Sequence, residues 1–146
     1  MNKIELIKQE AEGYFARGEF FCSEAIVASI RKHIAPQMPI EMIATASGFP
    51  TGIGGSKCVC GAVSGGVIAI GYLFGRTVEK DKAVMKAMAL SKELMDYFKT
   101  NYQVGCCKVI CKGLEYGSAE QGKKCIVITG MVAEKTAEII MRELKQ

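Results

Sequence analysis

Between Lys57 and Arg76 the chain runs 18 residues without a charge, CVCGAVSGGVIAIGYLFG (58–75). A segment of that kind has no polar face to turn to water, so either other elements cover it or a membrane does. Its length touches the lower limit of a bilayer-spanning helix. Five glycines, one serine and two cysteines within it make it a poor lipid solute. Gly61, Gly65 and Ala69 recur at four-residue spacing, a small-residue face on which a neighbouring backbone can approach closely. The flanking segments are amphipathic and need water on one side, so a buried core helix is expected and no membrane span.

Those flanking segments read as helices. Ile4, Ile7, Ala11, Tyr14 and Phe15 follow one helical face and stop at Gly18. From about Cys22 a second helix carries Cys22, Ile26, Ser29, Ile30 and His33 on one side and ends before Pro36. A short apolar helix covers about 40–46, and SGFPTGIGG (47–55) is a loop, because its glycines and proline forbid regular structure. Val84, Met88, Ser91, Met95 and Phe98 form a stripe opposite Lys82, Lys86 and Glu93. The last helix is expected to turn Val127, Met131, Ala137, Ile140 and Leu144 inward. No turn joins two alternating runs, and no internal repeat occurs. The expected fold is all-α: a single-domain bundle of five or six helices over residues 1–146, with a Gly/Ala-rich helix buried at its centre.

Composition agrees with a globular chain. Of 146 residues, 49% are hydrophobic and 23% charged, enough to bury a core without staples. The net charge is +4, but the basic residues Lys80, Lys82, Lys86, Lys92 and Lys99 are scattered among acids, and there is no Trp. That pattern is a solvated surface and not a nucleic-acid footprint. MNKIELIKQE alternates charge and apolarity, unlike a signal peptide, so a cytoplasmic protein is expected.

Seven cysteines in a reducing compartment point away from a disulfide framework and towards metal binding or redox chemistry. Their sequence positions are unusual. Cys22 opens the second helix, Cys58 and Cys60 follow Gly54 and Gly55 at the start of the central one, Cys106 and Cys107 follow Gly105, and Cys125 follows the GSAEQGKK loop. Helix starts stabilise thiolate through unpaired backbone N–H groups, and Lys57, Lys108 and Lys124 add positive charge. The bland reading, cysteine as a small buried hydrophobe, covers any one of them better than all seven.

FFCSEAIV around Cys22, CGAVSGG from Cys60, GCCKVICKG and KKCIVITGMVAEKTAEII together resemble a family of bacterial and archaeal redox-active proteins. That family is known for a CGAxxG motif and four characteristic cysteines. The resemblance covers nearly the whole chain. It places the four on Cys22, Cys60, Cys107 and Cys125, leaving Cys58, Cys106 and Cys111 as alternates. It extends to the N-terminal part of the split-Soret cytochromes, where an iron–sulfur centre is associated with this region. No C-x-x-C-H occurs, so covalent c-type haem is not expected.

Two function classes stand against each other. In the first, Cys22, Cys60, Cys107 and Cys125 converge as thiolate ligands of an iron–sulfur cluster, or of zinc, for electron transfer. In the second, no metal is held and cysteines exchange disulfides with a redox partner protein; Cys58-Val59-Cys60 and Cys106-Cys107 are the nearest substitutes for C-x-x-C. A third reading, implied by the resemblance, is an accessory or binding module associated with transporters. A homodimer would suit the small-residue faces of the central helix. Other chemistry is thin. His33 is the single histidine and reads as structural, GFPTGIGG lacks the Gly-Lys-Ser/Thr of a phosphate loop, and Glu134 with Glu138 reads as solvated.

Overall fold

The computed structural model describes residues 1–103 and 105–145, the side chain of Cys107 excepted. Among them lie α1 (Lys3–Ala16), α2 (Cys22–His33), α3 (Glu41–Ala44), α4 (Gly61–Phe74), α5 (Ala83–Tyr102), α6 (Cys107–Ile110) and α7 (Ala119–Leu144). Five are long and two are single turns; no strand occurs among the described residues. The all-helical bundle expected from periodicity is the fold.

Local chemistry sets the helix starts. The Asn2 side chain accepts from the Glu5 backbone N–H at 2.9 Å while the Glu5 carboxylate accepts from the Asn2 N–H, a reciprocal cap on α1. Ser118 caps α7 by accepting from the Gln121 N–H at 3.2 Å. This cap starts α7 at Ala119, inside the stretch read from sequence as a loop.

The helix α4 is the buried centre, packed on α2, α5 and α7, while α1 lies across α2 and α7. One core holds Ile7, Ile26, Ile30, Ile70, Leu94, Phe98, Ile139 and Ile140, and a smaller cluster of Val27, Ala35, Met38 and Ala46 sits beneath α3. Buried Ser23 donates from its hydroxyl to the Ala46 carbonyl at 2.8 Å, tying α2 to the segment after α3. No described helix is long and apolar enough to cross a membrane.

Two helix faces differ from their sequence reading. In α5 the buried stripe is Leu90, Leu94 and Phe98, and Met88 is 61% exposed. The cause is Gly66 on α4: a Cβ there would lie 2.6 Å from Leu94 Cδ2, so Leu94 fills the notch that the glycine leaves and sets the rotation of α5. In α7 Val127 is 62% exposed and Leu144 lies at the surface, while Ile128, Val132, Ala133, Thr136 and Ile139 are buried. There α7 is covered by α1, α2 and α4 together, and Gly130 gives way to the side chain of Glu12. A helix enclosed on several sides has no single stripe for periodicity to find.

Candidate functional site

The glycines of the CGAVSGG stretch decide how the cysteines meet. A Cβ on Gly65 would lie 2.5 Å from the Ser23 carbonyl oxygen and 2.8 Å from Ser23 Cα, so the first turn of α2 rests on bare backbone of α4. A Cβ on Gly61 would lie 2.6 Å from Cys22 Sγ and 3.0 Å from the Phe49 oxygen. The missing side chains therefore seat the Cys22 sulfur over the first turn of α4, whose N-cap is Cys60. Both residues stand at the positive ends of long helices, where thiolate is favoured.

Opposite them, Gln121, Cys125 and Thr129 recur every four residues along one face of α7, with Ile128 beside them. The end of α6 and the turn after it supply Ile110 and Cys111, and Phe15 and Phe21 close one side. Together these residues wall a cavity of about 390 Å³ in which Cys22, Cys60, Cys111 and Cys125 all take part. None of its lining residues is Asp, Glu, Lys, Arg or His.

Of the residues singled out from sequence, Cys22, Cys60 and Cys125 thus line one space, although they are far apart in the chain. The side chain of Cys107 lies outside the described residues; Cys111, an alternate, is the fourth cysteine of the wall. Cys125 does not open its helix. It sits in the second turn of α7, beyond the reach of the terminal dipole, and the thiolate argument from helix starts does not apply to it.

The other two alternates are bonded to each other: Cys58 and Cys106 form a disulfide across 48 residues of sequence. The pairing follows from backbone. The Cys60 N–H donates to the Gly105 carbonyl at 2.7 Å and the Lys108 N–H to the Lys57 carbonyl at 2.8 Å, clipping the two strips antiparallel with the cysteines between. Nothing local in the sequence marks this pair, whose partners are not the near neighbours Cys58 with Cys60 or Cys106 with Cys107. Cys58 is exposed, Cys106 half-buried.

Charge gathers at the rim and not in the wall. The Lys57 ammonium stands 4.3 Å from the Tyr116 ring centroid, and the Lys124 ammonium donates to the Ile110 carbonyl, pinning the end of α6 to α7. On the α5 side, burial first and then the neighbouring Cys60 push the Tyr102 phenol above its ordinary pKa. His33, three turns along α2 from the site, faces Glu10 at 3.9 Å and has no part in it.

A tetrathiolate centre needs its sulfurs about 2.3 Å from a common metal. Among the described residues no three His, Cys, Asp or Glu side chains are grouped to hold a metal ion. The side chain of Cys107, one of the four ligands expected from the sequence, lies outside those residues.

No curated protein and no solved structure matches the chain. The family profile described as "Putative redox-active protein (C_GCAxxG_C_C)" matches residues 20–139, a span that takes in every cysteine and all of α2 to α6. The chain belongs to that redox-active family.

Proposed function

We propose that the protein works by thiol–disulfide exchange, with Cys58–Cys106 as the exposed couple and the cysteine-walled cavity beside it as the second part of the same redox centre. The observation that carries this reading is the convergence of Cys22, Cys60, Cys111 and Cys125 on one uncharged cavity two residues along the chain from that disulfide. In the cytoplasmic setting expected from the sequence, a disulfide is a working couple more often than a staple. A dithiol partner protein would attack one sulfur of the Cys58–Cys106 bond, pass through a mixed disulfide, and leave both cysteines as thiols while its own two sulfurs join.

A second reading keeps the site and changes the cofactor: an iron–sulfur cluster or zinc held by cysteines of the cavity for electron transfer. It is favoured by the same four-cysteine wall, with Cys107, whose side chain lies outside the described residues, as a further expected ligand. Anaerobic purification followed by iron, zinc and sulfide analysis with thiol counting separates the two. Exchange chemistry expects a colourless protein without stoichiometric metal that gains two alkylatable thiols on reduction. A broad visible band with stoichiometric iron and sulfide would move the function to the cluster.

A further inference from the structure

Among the described residues of the cavity wall, Thr129 has a buried side-chain oxygen without a hydrogen-bond partner. Thr129 is wholly buried, lines the wall one helical turn beyond Cys125, and its Oγ1 has no partner. A buried hydroxyl without a partner is costly, and such a cost persists where a ligand repays it. The rest of the wall is uncharged and mostly apolar, with Phe15, Phe21, Pro50 and Ile128 among its members and Thr51 and Gln121 among its other polar side chains. Its volume of about 390 Å³ lies within the range of small-molecule sites.

We infer that this cavity binds an uncharged, apolar-bodied small molecule with a carbonyl or hydroxyl oxygen set on Thr129, and that the class which fits is the quinone–hydroquinone pair. A threonine hydroxyl both donates and accepts, so the one group serves the carbonyl of a quinone and the O–H of its reduced form. A charged thiol such as glutathione finds no counter-charge in this wall. The inference rests on the thiol–disulfide reading for its chemistry. In that chemistry two cysteine thiols of the wall lose two protons and two electrons and close one S–S bond. The quinone takes up both protons and both electrons and leaves as hydroquinone.

Durohydroquinone, titrated anaerobically, is the probe, since it carries the reduced head group and can neither oxidise nor alkylate cysteine. Calorimetric titration of the full chain is expected to show saturable one-to-one binding, weakened roughly tenfold in Thr129→Val, the loss of one buried hydrogen bond. Oxidised glutathione, titrated in parallel, is expected not to bind the cavity. Thermal melting of the variant checks that it folds, and Ile128→Phe, which fills the same space, is expected to block binding independently. Absence of saturable binding to the wild-type chain, or equal affinity in folded Thr129→Val, would overturn the inference. Because binding is read without any redox step, it can hold while thiol exchange fails, and exchange can hold while it fails.

Discussion

The sulfur of Cys22 occupies the space where a side chain on Gly61 would begin, 2.6 Å from an ideal Cβ position. This contact explains why cysteine and glycine stand where they do. The glycine lets α2 drop onto α4, and the drop carries Cys22 to the cavity that Cys60 borders.

Glycines of α4 should therefore differ sharply in what alanine does. Gly65→Ala drives a methyl into the rigid backbone of Ser23 and is expected to cost about 1–3 kcal/mol. Gly71 faces open space on the same helix, and Gly71→Ala is expected to stabilise by up to about 1 kcal/mol. Urea unfolding of the two variants checks the contrast; equal effects would show that the α2–α4 contact is not tight.

Cys58 and Cys106 close a long loop, so reduction should be felt in stability. The chain-entropy argument for a separation of 48 residues gives about 4 kcal/mol. Cys58→Ser, Cys106→Ser and the double variant are expected to melt alike, and reductant to leave all three unchanged. Additive losses from the two single variants would mean that the residues act separately.

At the far end of the bundle, Lys32 donates to the Glu10 carboxylate at 2.8 Å, and this bond holds the carboxyl below its ordinary pKa against the opposing effect of burial. A lowered carboxylate pKa contributes stability that is present above the unfolded value and lost as pH falls through the folded one. Glu10→Gln is expected to lower the melting temperature slightly across the neutral range, where the ion pair contributes, and to flatten the acid limb below about pH 5, where the wild type loses that contribution. A flattened neutral or alkaline limb would contradict the assignment.

Much of this was legible in the sequence, for identifiable reasons. The uncharged run and its four-spaced glycines announced a buried central helix, because composition fixes burial when no polar face exists. Faces of α5 and α7 were less legible. Leu94 is selected over Met88 by the notch at Gly66, a tertiary fact that no periodicity contains. Convergence of Cys22, Cys60 and Cys125 could be suspected from helix starts, yet Cys125 arrives there from the second turn of α7, one turn before Thr129. The Cys58–Cys106 pair depends on backbone bonds between strips almost fifty residues apart, and Thr129 became visible as a site residue only once the cavity was.

Serine replacements should separate chemistry from packing at the cavity. Cys22→Ser, Cys60→Ser, Cys111→Ser and Cys125→Ser are each expected to fold, with losses of about 1–2 kcal/mol from placing a hydroxyl in an apolar wall. Each is also expected to slow exchange with a dithiol partner by more than that loss of stability explains. A variant that melts lower but exchanges at the wild-type rate would remove its residue from the centre.

The central claim, that cysteine sulfur here changes oxidation state, is tested most directly by alkylating the protein in buffers of set thiol–disulfide potential and mapping each cysteine by mass spectrometry. Cys58 and Cys106 are expected to become alkylatable together, as one two-electron couple following about 30 mV per tenfold change, with cavity cysteines titrating in the same range. Labelling of every cysteine that stays constant from strongly reducing to strongly oxidising buffer would contradict the account.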